Sequence, residues 1–390
     1  MNHRNRHISY IRAVSSLGIV LLHTFAICMV AFYGQMTRKE EFVFGLPQYL
    51  MMWCVPCFVM VTGALLLDEG RQADYKRMFG RYIPRILIVL FLSVAAFAVI
   101  DAWMNHDGLS PSLIKVIFKK FYTRSSWSHL WYLYMLIGLY LLIPVIKRFV
   151  LNSSLKECLV FVLIMLFFFS VLPLIDKISG VKAGFSLAVN SIYPVYLMLG
   201  HLIFSGKLKI RRKTGLALTF TGLVLVIFLY YYAVYHAGTK WKNDLTDYLG
   251  SYAFLPVVLF SVGVFSLAMS SEAQASQGEN RKGKTLQQKK DTSTEKGGTE
   301  VREGATALSG IVSRFLMSVD DCSFGIYLIH LAFLRYVFKC TDFDPLKRGG
   351  FLMMLLLTFA VFILSYVIVL LYQTGKQRIR RKTVSEKSAE

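Results

Sequence analysis

Arg12 and His23 lie eleven residues apart in one apolar stretch, residues 10–33. At about 100° per residue, eleven residues make roughly three turns, so the two side chains share a helical face about 16 Å apart. A guanidinium binds phosphate or carboxylate in a planar fork, and an imidazole takes up a proton near neutral pH. Ionisable groups at bilayer depth are costly and mark functional paths. The pair therefore suits an anionic ligand held at the mouth of a membrane helix and a general base halfway along it. A structural reading stands beside this one: a snorkelling arginine below a histidine bonded to a neighbouring helix.

Other side chains extend the pattern. Arg77, Arg81 and Arg85 follow at i, i+4 and i+8, which stacks three guanidiniums on one helical face. Like charges so placed repel, so the face calls for an anion: a lipid headgroup or a phosphorylated small molecule. Pro84 either kinks this helix or marks its first turn, and that decides whether the three arginines align. His129 stands beside Trp127, Trp131 and Tyr132, which fits an interfacial aromatic belt or a sugar-holding face. Tyr327 and His330, three residues apart, share a face suited to an inter-helix hydrogen bond or to substrate contact. His201 and His236 read as hydrogen-bonded interfacial residues. Cys54-Val-Pro-Cys57 has redox or metal spacing, but lies in an apolar helix without a second ligand pair, so no metal is expected.

These residues must be carried by helices. The chain has 390 residues, 55% of them hydrophobic, and a mean hydropathy of +0.51, which excludes an ordinary soluble domain. Ten stretches long enough to span a bilayer, or nearly so, lie near 10–33, 43–67, 84–103, 129–149, 158–175, 186–206, 214–236, 250–270, 323–340 and 351–373. The fifth and ninth look short. The first is expected to be a span and not a cleaved leader, because it is long, contains polar residues and is followed by no small-residue cleavage site. The predicted fold is all-α: a polytopic bundle of about ten transmembrane helices.

The net charge of +21 raises the question of nucleic acid, but its distribution points to a membrane. With the N-terminus inside, the short cytoplasmic segments hold 22 Lys and Arg against 14 on the other side. That is the positive-inside asymmetry, with both termini cytoplasmic in a multi-pass plasma-membrane protein. The partner of the basic residues is the lipid bilayer; no nucleic acid is expected. Residues 271–318 hold a polar run poor in large apolar side chains, which predicts a disordered cytoplasmic loop. The expected organisation is helices one to eight in 1–270, the loop in 271–318, and helices nine and ten with a basic tail in 319–390. No Asp or Glu falls in the middle of any of the ten stretches, which counts against an ion-coupled transporter.

Several segments in order resemble the acyltransferase-3 family of integral membrane proteins. They are Tyr10-Ile-Arg through His23, with its Arg-x10-His spacing; Val55-Pro-Cys-Phe through Leu67; the basic start of helix three; and His129-Leu-Trp-Tyr through Pro144. Tyr196-Leu-Met-Leu-Gly-His201 and Ser323-Phe-Gly-Ile-Tyr-Leu-Ile-His330 complete the set. The resemblance implies an enzyme that carries an acyl group, usually acetyl from cytoplasmic acetyl-CoA, to a sugar hydroxyl, as in O-acetyltransferases of bacterial surface polysaccharides. Many members have Arg-x-x-Arg at helix three, whereas this chain has Arg77-x3-Arg81-x3-Arg85, so which two correspond stays open.

The chemistry follows from the residues themselves. A sugar hydroxyl is a poor nucleophile, and a base must take its proton as it attacks the thioester carbonyl. His23 is the expected catalytic base; whether it also carries the acyl group in transit is left open. Arg12 with some of Arg77, Arg81 and Arg85 would hold the CoA diphosphate. His129, Trp131, Tyr132, Tyr327 and His330 are the candidates for the carbohydrate acceptor. The runner-up reading is an exporter or flippase of a polysaccharide or lipid-linked sugar using the same polar path.

Overall fold

A computed structural model of the chain describes residues 6–106, 110–179, 181, 183–184, 191–236, 248–270, 299–347 and 349–387. Among them no strand occurs, and eight helices are long and apolar enough to cross a membrane. The protein is an all-α polytopic helical bundle. The helices are α1 (Arg6–Phe32), α2 (Arg38–Leu50), α3 (Cys54–Leu66), α4 (Ile83–Met104), α5 (Ser112–Tyr122) and α6 (Trp131–Asn152). They continue with α7 (Leu155–Leu166), α8 (Tyr193–Phe204), α9 (Arg212–Tyr235), α10 (Leu255–Ser270), α11 (Thr299–Cys340) and α12 (Gly350–Lys387). Together α2 and α3 make one span, Arg38–Leu66, interrupted by a turn at 51–53.

Helix starts follow local chemistry. Thr37 with Glu40, and Ser154 with Glu157, form capping boxes that satisfy the first N–H groups of α2 and α7. Two apolar helices fall short of spanning length, Tyr193–Phe204 and Leu255–Ser270, and both carry proline as their second residue, Pro194 and Pro256. Proline fits best in a helix's first turn, where no intrahelical N–H is required, so it favours a start at each of these places. The expected short spans are thus misplaced. The fifth extends over Leu155–Lys177 and the ninth over Gly310–Cys340, while the sixth and eighth are the short ones.

The ninth span has a further consequence. Helix α11 is already formed at Thr299, so the C-terminal part of the expected 271–318 loop is helical; residues 271–298 lie outside those described. Asp320 falls ten residues into the Gly310–Cys340 span and is only 2% exposed. The expectation of spans without internal carboxylates therefore fails at Asp320.

Helix α1 is the axis of the bundle and packs against α2, α3, α11 and α12. Helix α3 is pressed onto α8 through glycines. A Cβ on Gly63 would lie 1.9 Å from the Leu197 carbonyl oxygen, and one on Gly200 would lie 2.1 Å from that of Met60. Only glycine permits this backbone approach, the usual device for packing helices within lipid. The main apolar cluster lies around α3 and α8, with Cys54, Cys57, Met60, Tyr196 and Leu197 among its buried members. A second one joins α4, α6, α11 and α12 through Leu90, Leu133, Ile326 and Val361. The polar side chains of α1 lie where these clusters meet.

Candidate active site

A cavity of about 400 Å³ runs alongside α1, walled mainly by apolar side chains. Arg12 and His23 both line it, as their shared helical face requires. Around Arg12 the wall includes Thr62, Leu65 and Leu66 from the end of α3, Tyr82 and Arg85 from the start of α4, and Tyr140 from α6. Around His23 it includes His129, Trp131, Tyr132, Tyr252 and Tyr327. One end thus carries the guanidiniums together with Tyr82 and Tyr140, and the other carries the imidazoles with further phenols, with Ile19, Leu22, Val55, Phe58 and Leu136 among the apolar side chains of the wall. A cavity with few convergent polar groups on an apolar wall is the usual form of a small-molecule site.

Arg12 is not a lone cation. Its Nη1 is 3.0 Å from Asp320 Oδ1, and its Nη2 donates to Ser323 Oγ at 3.2 Å. Both partners stand on α11, which runs beside α1, and Tyr10 donates to Ser313 Oγ of the same helix at 2.8 Å. The Arg12 side chain remains 31% exposed, so the guanidinium is oriented by α11 and still reaches the cavity. The carboxylate was invisible to span reading because Asp320 precedes the apolar stretch 323–340; an acidic residue flanking a span opposite an intramembrane arginine was the available signal.

The three arginines of the α4 entrance separate. A π-turn occupies Met78–Tyr82, and the N–H of Ile83 donates to the Met78 carbonyl. Pro84, in the first turn of α4, has no N–H and crowds the carbonyl four residues back, so the chain widens there instead of continuing as α-helix. The extra residue in that turn rotates Arg77 away from Arg85. Arg77 donates to Gln72 Oε1 at 2.7 Å, Arg81 is exposed and not part of the cavity wall, and Arg85 alone of the three lines it. The expected single stack at i, i+4 and i+8 is therefore broken by backbone register.

At the other end three imidazoles converge from separate segments. His23 and His330 have ring centres 5.3 Å apart, His129 and His330 5.6 Å, and His23 and His129 6.4 Å. His129 sits in the turn before α6, and its Nε2 is 3.4 Å from the Leu328 carbonyl oxygen. Tyr327 donates through its hydroxyl to the His129 carbonyl, which ties α11 to this turn. Phe97 stacks on Trp127 at 4.1 Å and meets His129 at 5.3 Å. Trp127 in turn donates to Asp101 Oδ1 at 2.9 Å, and Asp101 also accepts from Lys120 and Arg335 at 2.9 and 2.8 Å. Trp127 is thus a packed, hydrogen-bonded residue 4% exposed, and not part of an interfacial belt.

Trp131 stacks on Tyr252 at 5.4 Å and approaches Tyr193 at 6.0 Å. Of the expected acceptor residues, His129, Trp131, Tyr132 and Tyr327 line the cavity, whereas His330 stands behind His23 and is fully buried. Tyr82, Tyr140, Tyr252 and Ser323 were missed by sequence reading, because lone tyrosines and serines in spans carry no spacing signal. His201 and His236 lie away from the wall. His201 is 3% exposed with neither ring nitrogen bonded, which corrects the expectation of a satisfied interfacial residue; His236 is exposed at the end of α9. Cys54 and Cys57 are free thiols buried in the core. Among the described residues no three His, Cys, Asp or Glu side chains are grouped to hold a metal ion.

A family model described as an acyltransferase domain matches residues 5–371, nearly the whole chain. No curated protein and no solved structure matches.

Proposed function

The chain belongs to this acyltransferase family, and on that premise we propose that it moves an acetyl or similar acyl group from cytoplasmic acyl-CoA to a sugar hydroxyl of a cell-surface polysaccharide or its lipid-linked precursor. The observation that carries the reading is that Arg12 and Arg85 stand on the wall of the same cavity as His23 and His129. The cationic end suits the CoA diphosphate, and the apolar wall suits the pantetheine arm. His23 takes the proton of the acceptor hydroxyl as its oxygen attacks the thioester carbonyl. The carbon–sulfur bond then breaks, and the thiolate leaves with a proton returned by His23. His129, Tyr132 and Tyr327 supply polar contacts for a sugar, and Trp131 with Tyr252 supplies aromatic surface beside them.

The basic segments, dense on the side of the N-terminus, support cytoplasmic termini and a donor arriving from that side of the plasma membrane. The test is glycan acetyl content by NMR in a deletion strain complemented with wild type or His23→Ala. Wild type restores acetylation and His23→Ala does not, while both insert at equal levels. Unchanged acetylation with His23→Ala would remove His23 from the mechanism.

One observation favours the exporter reading more than the sequence did: the buried Arg12–Asp320 pair places a carboxylate inside a span. Transfer of labelled acetyl from acetyl-CoA by purified protein in nanodiscs, where there is no second compartment to export into, separates the two.

A further inference from the structure

His330 is a buried imidazole to which the acyl-transfer scheme gives no task. It is 0% exposed and, unlike His23 and His129, does not line the cavity. Its Nδ1 lies 2.9 Å from the Ile326 carbonyl oxygen one turn back on α11. A carbonyl only accepts, so Nδ1 carries the proton and Nε2 is a bare lone pair. That Nε2 is buried and has no hydrogen-bond partner. Native proteins rarely leave such a nitrogen unsatisfied without a functional reason. His129 repeats the pattern: Nε2 faces the Leu328 carbonyl oxygen, and its Nδ1 is buried without a partner. Both of these rings lie beside His23, His330 at 5.3 Å and His129 at 6.4 Å between centres.

A histidine base needs an acceptor for its second ring nitrogen, since that bond fixes both tautomer and ring orientation; a carboxylate usually serves. Here the carboxylates of the neighbourhood are engaged. Asp320 pairs with Arg12, and Asp101 with Trp127, Lys120 and Arg335. The nearest ring is His330, at 5.3 Å between centres with planes 39° apart. Two imidazoles joined head-on by an N–H···N bond of about 3 Å have centres about 5.2 Å apart. The observed spacing between centres matches that of such a pair.

We propose that His330 is the positioning residue for His23: its Nε2 accepts the N–H on the far side of the His23 ring, leaving the other His23 nitrogen bare toward the cavity. This assignment rests on the acyl-transfer reading above and adds to it a neutral imidazole in the place of the usual carboxylate. In the transfer step His23 takes the hydroxyl proton on its cavity-side nitrogen and later returns it to the departing thiolate. The proton on the far side stays on His23 throughout, and His330 remains neutral.

Two measurements test it on full-length protein in lipid nanodiscs. In ¹⁵N-histidine NMR, with His330→Gln to assign the signals, His330 is expected in the Nδ1–H tautomer; an Nε2–H tautomer overturns the proposal. In kinetics, His330→Ala and His330→Asn are expected to lower kcat about 100-fold with the KM for acetyl-CoA nearly unchanged. His330→Gln recovers at least about tenfold of that loss, because its Oε1 reaches where Nε2 stood while the asparagine oxygen reaches only the Nδ1 position. Equal activity of the Asn and Gln variants, or wild-type kcat in the Ala variant, also overturns it. A wild-type protein that transfers no acyl group sinks the enzymatic reading instead, and the tautomer measurement then still decides whether His330 presents a lone pair to His23.

Discussion

Arg12 of α1 and Asp320 of α11 form an ion pair at 3.0 Å, with the carboxylate 2% exposed and the guanidinium reaching into the cavity. Two helices separated by some three hundred residues are pinned side by side at this point, with His23 and His330 facing each other further along the same two helices. The pair therefore orients the cation and also sets the relative height of the two helices that carry the imidazoles.

This coupling is measurable in a double-mutant cycle on thermal stability. Arg12→Ala and Asp320→Ala should each destabilise the protein, and the double variant should lose less than their sum, with an interaction of about 0.5–3 kcal/mol. The carboxylate is the more buried partner, so Arg12→Ala, which leaves it unpaired, should be the worse single change. Additive losses would mean that the pair contributes nothing.

Binding of CoA by the protein in nanodiscs should distinguish the three arginines. Arg85→Ala should weaken binding at least about fivefold, roughly 1 kcal/mol, whereas Arg81→Ala and Arg77→Ala should change it little. Affinity should fall as salt rises, because guanidinium–phosphate contacts near water are screened within about 10 Å at 0.1 M. Calorimetry is the measurement, and equal losses for Arg81 and Arg85 would show that the cavity wall is not the donor site.

Asp101 gathers Trp127, Lys120 and Arg335 above the His129 turn. Lys120 and Arg335 are partly exposed, so their pairs are worth little. The bond to the buried Trp127 indole is the one that counts, at about 1.5–3 kcal/mol for a charged acceptor. Asp101→Asn keeps an oxygen for the indole and should hold most of the thermal stability, while Asp101→Ala should lose it and raise the KM for the acceptor. If Asn and Ala behave alike, the ion pairs and not the indole bond secure the turn.

Much of the protein is legible in the order of its residues. Apolar runs mark the eight spanning helices and the two shorter apolar helices among the described residues, because burial in lipid demands continuous hydrophobicity and a backbone bonded within each segment. The common face of Arg12 and His23 follows from helical periodicity alone, since three turns return a side chain to its starting direction.

What lies between helices is not written in that periodicity. The π-turn before Pro84 shifts the backbone register and separates Arg85 from Arg77 and Arg81. The start of α11 ahead of its apolar run brings Asp320 inside the bundle, and sequence hydropathy sees only where apolar residues begin. His129 and His330 meet His23 because the turn before α6 and helix α11 come together at α1, an outcome of side-chain packing and of the Arg12–Asp320 pair. Spacing along a chain fixes directions around one helix axis. Only packing decides which of those directions face each other.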